Sequence, residues 1–328
     1  MPDVDVAIIG GGPSGLAAAI ECTKKGLSYV VVEKGSLVDA IRRFPMNMVF
    51  FTTPDLLEIG ELPLVCAREK PSRHEALKYY RRASEYYRLQ VKLYEKVDAV
   101  RPVNGHFEIS SSYQRGQVGS PDSMTAHKLV VATGYYDNPN FLGIPGEDLP
   151  KVSHYYTEAH PYYGLDVAVI GGANSAAETA LDLYRSRVKV RLIHRDGDLS
   201  THIKYWVRPD IKNRITRGEI EAHLETRVVE ILQGELVLEK KGGERFTIPN
   251  DAVLALTGYH PDYTFLESMG IKIDPDTGKP ETDPETSETN VPGIYLAGGI
   301  VAGRQTNKIF IENGRFHGQK IIKHLTGH

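Results

Sequence analysis

The sequence predicts an α/β protein with two dinucleotide-binding domains of Rossmann type, and three observations predict it. A strand, glycine turn, helix and second strand open the chain over residues 4–33. The same order returns over residues 166–195, with Gly171 following Gly10 by 161 positions. Two apolar strands, one after each copy, run into Thr-Gly at 133–134 and 257–258.

In the first copy, Val4, Val6, Ala7, Ile8 and Ile9 form a short apolar run suited to a buried parallel strand. Gly10, Gly12 and Gly15 fit G-x-G-x-x-G, with Pro13 and Ser14 inside the motif, and an alanine-rich helix follows until Gly26 stops it. Residues 29–32 give the second strand, which Glu33 closes 18 residues after Gly15. Glycines permit a tight turn and a close approach of backbone to a pyrophosphate, whose charge rests at the helix N-terminus. An acid at the end of the second strand accepts hydrogen bonds from a ribose 2′-hydroxyl. The pattern therefore predicts a dinucleotide site at these glycines and Glu33, with the Ser14 hydroxyl on a phosphate.

At 328 residues there is room for about two domains. A chain that is 41% hydrophobic and 25% charged, with net charge −3 and no basic block, reads as globular and not as a nucleic-acid binder. No apolar run has the length of a membrane span, and Asp3, Asp5 and the early glycines argue against a signal peptide. Cys22 and Cys66 form no C-x-x-C, so neither a disulfide framework nor a metal site is expected, and the expected compartment is a reducing cytoplasm.

Residues 35–64 lack a clean period and carry Phe44, Phe50 and Phe51, which fits either a lid near a cofactor or a loop with its own small core. Ser72 to Glu75 form a capping box that opens a helix to about Leu89, with Leu77, Tyr80, Ala83 and Tyr87 on one face. The tyrosines at 79, 80, 86 and 87 read as packing residues. Residues 91–103, 107–112 and 125–131 read as strands, with a polar loop at 114–123. Pro139, Pro145, Pro150 and Pro161 mark a domain boundary.

The second copy is degenerate. Gly171 fits the motif, Ala173 replaces its second glycine and Ala176 its third. Its second strand ends in His194-Arg195, and a basic ending accommodates the 2′-phosphate of NADP where an acid favours NAD. His202 and Lys204 add charge if the next loop folds back. Four short strands between 219 and 248, a strand at 250–258, an acidic turn-rich stretch at 274–292, a buried strand at 293–299 and a helix over 306–325 complete the chain.

This ordered set resembles the two-domain flavoprotein disulfide reductases of the low-molecular-weight thioredoxin reductase type, over essentially the whole chain. The resemblance implies a three-layer ββα form of each domain, an FAD domain of 1–156 with 261–328, and an inserted NADPH domain of 157–260. FAD would be held by Gly10, Gly12, Pro13, Ser14, Gly15, Glu33, Lys34, Asn47, Val97, Thr133, Gly134, Gly298, Gly299, Lys308 and Ile309. NADPH would be held by Gly171, Gly172, Ala173, Asn174, Ser175, Glu178, His194, Arg195, Lys204 and Gly258. The redox C-x-x-C of thioredoxin reductases is absent, and the matching stretch reads His154-Tyr155-Tyr156-Thr157.

Among such proteins without that pair, the chain is similar to the bacillithiol disulfide reductases, through FFTTPDLLEIG, KPSRHEALKYYRR, KYWVRPDIKNRI and IFIENGRFHGQKI. This narrower resemblance implies an NADPH-dependent reductase of a low-molecular-weight disulfide, acting as a homo-oligomer, a dimer or a tetramer, with no nucleic-acid or membrane partner. Two positions depart from it. Some members carry a cysteine, proposed for thiol exchange, where this chain has Ser14, and a hydroxyl cannot exchange with a disulfide. The common flavoprotein Gly-Asp, whose carboxylate binds the flavin ribitol, is Gly298-Gly299 here.

The catalytic candidates are Ser14, for its place in that turn, and Lys308, expected at the start of the last helix where an ammonium would stabilise anionic reduced flavin. Cys22 is expected to be packing, and Cys66 is a thiol with no adjacent partner cysteine. Other functions remain open from the sequence: a ferredoxin- or flavodoxin-NADP reductase, a nucleotide-responsive sensor, or a flavin monooxygenase. For the last, His154 matches the F-x-G-x-x-x-H-x-x-x-Y/F signature, while Asp148, Pro150 and Glu158 do not.

Overall fold

The computed structural model describes residues 3–115 and 122–327. It divides into two compact units, 1–138 with 259–328, and 139–258.

The chain begins with β1 (Val4–Ile9), α1 (Pro13–Lys25) and β2 (Tyr29–Glu33). Pro13 pre-sets the first turn of α1, and Gly26 at φ +69° turns its amide back onto the carbonyls of Cys22 and Thr23, ending the helix. After α2 (Asp39–Arg42) and a 3-10 turn at Pro54–Leu56 comes α3 (Arg73–Tyr86), whose capping box is formed by Ser72 and Glu75. The segment between α2 and α3 has its own core, in which Phe50, Leu57, Ile59 and Leu64 pack on Ala76, Tyr79, Tyr80 and Ala83. Leu77 and Tyr87 are only partly buried, and Tyr79 takes a place on the inner face. The tyrosine hydroxyls donate to loop carbonyls, Tyr79 to Leu62 at 2.8 Å, Tyr80 to Leu57 at 2.9 Å and Tyr87 to Gly60, so α3 staples the loop down.

Where one strand was expected over 91–103, there are two, β3 (Val91–Leu93) and β4 (Glu95–Val103). Tyr94 at φ +58° breaks them apart: β3 runs parallel to β2, while β4 turns to pair antiparallel with β5 (His106–Tyr113). β6 (Asp122–Val131) pairs with β5 through its first half and with β1 through its second. The expected loop at 114–123 falls mostly on residues 116–121, outside the described residues.

The second unit holds β7 (Val152–Ser153), β8 (Asp166–Ile170), α4 (Asn174–Arg185), β9 (Lys189–Ile193), α5 (Arg208–Thr216), β10 (Glu221–His223), β11 (Thr226–Ile231), β12 (Glu235–Lys240), β13 (Arg245–Pro249) and β14 (Ala252–Ala255). Five of these strands form a parallel sheet, β10-β9-β8-β14-β7, and β11-β12-β13 form an antiparallel one. Residues 139–156, expected with the first domain, fold with this unit because Val152 and Ser153 pair with Val253 and Leu254.

The returning chain adds α6 (Tyr263–Ser268), β15 (Ile294–Leu296), α7 (Ile311–Gly314) and α8 (His317–Thr326). β15 lies parallel to β6, completing a seven-stranded sheet in which β3, β2, β1, β6 and β15 carry the parallel part. The helix expected over 306–325 is interrupted. Residues 306–310 are not helical, and Asn313 bonds back to the Phe310 amide and the Lys308 carbonyl, so only α8 is a long helix here.

Candidate active site

In the first unit, Gly10 leaves β1 at φ +108°, and a Cβ there would lie 2.6 Å from the Ala132 carbonyl oxygen, just before Thr133. Only glycine fits, for both reasons. Gly12 caps α1 with no side-chain hydrogen bond, and no acid stands in the first turn, so no side chain caps the first amides of the helix. The hydroxyl of Thr133 is buried with no partner among the described residues, and so is that of Thr52, a residue the sequence did not single out.

Glu33 is 7% exposed at the end of β2. One carboxylate oxygen accepts from the Gly11 amide and the other from the Gly35 amide, both at 2.7 Å. Burial raises its pKa, and the two amides oppose the rise. Lys34 beside it is ion-paired with Asp137 at 2.8 Å.

The end of β15 closes the other side of this turn. Gly298 has φ +82°, and a Cβ there would stand 2.6 Å from the Ser14 hydroxyl oxygen; a Cβ at Gly314 would stand 3.1 Å from that same oxygen. The Ser14 side chain makes no hydrogen bond among the described residues. At Gly299, a Cβ would meet the ring of Tyr135 at 2.6 Å, and the Tyr135 hydroxyl donates to the Thr306 carbonyl at 3.4 Å. Burial pushes the Tyr135 phenol up to about 12. The Gly298 amide donates to Nδ1 of His317 at 3.0 Å, another residue the sequence reading passed over.

The structure thus gathers Gly10, Ser14, Glu33, Thr133, Gly298 and Gly299 at one end of the parallel strands. Lys308 differs from expectation. It is exposed in the 306–310 turn, three residues before the four-residue α7 and nine before α8, so it heads no long helix. Asn47 is exposed in a turn, and Val97 is buried in the sheet core of β4.

The second unit repeats the turn. Gly171 has φ +144°, and its Cβ would lie 2.5 Å from the Leu256 carbonyl oxygen. A Cβ at Gly172 would enter the His194 ring, so the imidazole covers the turn much as Glu33 covers Gly11. Burial lowers the pKa of His194, and Arg195 beside it carries a guanidinium on a side chain that is 83% exposed. Residues 200–204 fold back over the turn, as the sequence allowed. Ser200 donates its amide to Gly172 at 2.8 Å, and Asn174 accepts from the Lys204 amide at 2.9 Å and donates to His202 at 3.1 Å. The Lys204 ammonium pairs with Glu178 at 2.6 Å. Gly258 has φ +92°, 3.1 Å from Asn140 to its would-be Cβ.

His154 lies where the dithiol of thioredoxin reductases would fall. It bonds the Ala255 carbonyl through Nδ1 at 3.2 Å and faces Glu147 at 3.4 Å, fastening the strand end of its own unit. Cys22 is fully buried, its pKa driven up to about 12 by burial, and the half-buried Cys66 thiol donates to the Arg68 carbonyl at 2.8 Å. The two are unpaired with each other. Among the described residues no helix is long and apolar enough to cross a membrane, and no group of three His, Cys, Asp or Glu is placed to hold a metal.

Residues 7–298 match the pyridine nucleotide-disulphide oxidoreductase family. The chain belongs to this family. It is an oxidoreductase with a fold like that of thioredoxin reductase. It is 43% identical to the bacilliredoxin reductase of Bacillus subtilis (strain 168), over 97% of this chain and 96% of the other. The bacillithiol disulfide reductase of Bacillus cereus superposes with a TM-score of 0.96 at 42% identity, covering 99% of both chains. That of Staphylococcus aureus superposes with a TM-score of 0.93 at 40% identity, covering 100% of this chain and 99% of the other. Thioredoxin reductase of T. acidophilum, at 22% identity and a TM-score of 0.76, shares the fold, covering 100% of this chain and 99% of its own.

The stability of the fold depends on pH through His317. Burial first, then Lys320, pushes its pKa down to about 4 from the ordinary 6.5, so the unfolded chain takes up this proton before the folded one. The contribution of the site to stability is complete above about 6.5 and is lost as the pH falls toward 4. Thermal melting of the wild type between pH 7 and pH 5 is expected to drop further than that of His317→Asn; equal drops would refute the shift.

Proposed function

We propose that the chain reduces bacillithiol disulfide with NADPH, through FAD and without a protein dithiol. The observation that carries this reading is the near-full-length likeness, at 40–43% identity, to reductases named for bacillithiol disulfide and for bacilliredoxin. The residues of the first turn fit FAD: the open space at Gly12, the uncapped start of α1 and the unpartnered Thr133 hydroxyl are what a pyrophosphate and a polar ring system need. Gly10, Gly12 and Gly15 would hold the pyrophosphate, Glu33 the ribose, and Thr133 with Gly298-Gly299 the flavin end. In the second turn, Gly171 and the uncapped start of α4 would take the NADPH pyrophosphate, and Arg195 the 2′-phosphate.

When bound, the flavin accepts a hydride from NADPH and passes two electrons on to a disulfide. The balance is NADPH, a proton and one disulfide giving NADP⁺ and two thiols. The chain's own part is to bind and orient. Neither cysteine is equipped for a relay: Cys22 stays a buried thiol, and Cys66 has no partner cysteine. Changing Cys22 to Ala and Cys66 to Ser together is expected to leave NADPH turnover unchanged, and loss of turnover in a folded double variant would assign Cys66 a role.

Arg195→Ala is expected to raise KM for NADPH by about tenfold or more and to leave KM for NADH unmoved, because only NADPH carries the anion that the guanidinium would pair. Equal changes for both nucleotides would place the 2′-phosphate elsewhere. Two free cysteines with no disulfide between them support a cytoplasmic site of action. The deciding experiment compares NADPH oxidation with bacillithiol disulfide, a bacilliredoxin mixed disulfide, oxidised glutathione, ferredoxin and oxygen. Selective consumption with bacillithiol disulfide supports the proposal, and a larger rate with ferredoxin refutes it.

A further inference from the structure

We infer that His317 is a positioning residue for the flavin, holding the Gly298 peptide in the shape that closes the first glycine turn. The inference rests on the FAD reading of that turn. Gly298 stands past the end of β15, where pairing with β6 has stopped, so its amide needs an acceptor of its own. Nδ1 of His317 is that acceptor, at 3.0 Å.

Three close approaches fix the pair in place. The Gly298 Cα has no room for a side chain against Ser14, and Gly314 touches both Gly298 and Ser14. Gly318, next to the histidine, brings the start of α8 onto α1 so closely that a Cβ would lie 2.5 Å from the Cα of Ala18. The imidazole is thereby anchored to α1, the helix that starts from the glycine turn, while its ring nitrogen grips the strand end opposite. Burial and Lys320 keep the ring neutral, with its pKa pushed down to about 4, so Nδ1 retains the lone pair that accepts. Nε2 then carries the proton.

The chemistry separates this role from simple packing. An asparagine at 317 offers a carbonyl oxygen near the Nδ1 position, a glutamine offers it one bond further out, and a leucine offers none. Full-length wild type, His317→Asn, His317→Gln and His317→Leu are stripped of flavin, checked for folding by circular dichroism, and titrated with FAD by quenching of flavin fluorescence. The leucine variant is expected to bind FAD about tenfold more weakly or worse, the cost of a stranded buried amide. The asparagine variant should return to within about threefold of wild type, and the glutamine variant should not, since its acceptor misses the amide. If leucine fails to fold, the asparagine–glutamine contrast decides. Leucine binding as tightly as wild type, or asparagine as weakly as glutamine, overturns the role of His317 alone. A wild-type chain that takes up no FAD overturns both this inference and the flavin reading.

Discussion

Gly10→Ala is expected to yield a protein that purifies without flavin and melts well below the wild type. Two penalties add at this position. A backbone at φ +108° is one that residues with a side chain adopt at a cost of about 1–3 kcal/mol. The new methyl would also overlap the Ala132 carbonyl, which is backbone of the neighbouring strand end and cannot rotate aside. Relief requires β1 and β6 to separate where Thr133 begins. The measurement is FAD uptake and thermal melting of the variant; wild-type values in both would show that the turn is far more tolerant than its geometry states.

Removing the carboxylate of Glu33 should be nearly as severe. In Glu33→Ala the amides of Gly11 and Gly35 lose their acceptor inside the protein, a loss of about 3 kcal/mol. Glu33→Gln separates charge from shape. Its single carbonyl oxygen can serve one of the two amides, while its NH₂ faces the other donor, so it should recover about half of that loss. Calorimetric melting of the two variants tests this. Alanine and glutamine variants of equal, wild-type stability would mean the amides find water instead.

Much of this was legible in the chain. The glycine spacing, the acid at the end of β2 and the repeat at Gly171 predicted both turns, because those features are local and the backbone itself makes the site. The capping box at Ser72 was equally readable, being a four-residue pattern with one geometry. Other features depended on distant contacts. Tyr94 breaks a strand because its two sides pair with different neighbours, β2 and β5, which no apolar period records. Helices α5 and α6 went unpredicted, since each buries a single residue, Ile211 and Leu266, and so shows no apolar stripe. His317 and Thr52 had no motif to mark them: their partners lie in other elements or are absent from the described residues. Lys308 was misplaced because the apolar and basic residues of 306–325 read as one helix, whereas Asn313 folds the chain back before α8 starts.

The contact between Tyr135 and Gly299 couples what each of these two positions can hold. An aspartate at 299 beside the intact ring would force that ring to shift, and trimming the ring alone would remove what lies against Gly299. Neither single step is free, so the acid and the ring are alternatives that must be exchanged together, a case where a double change is milder than its parts.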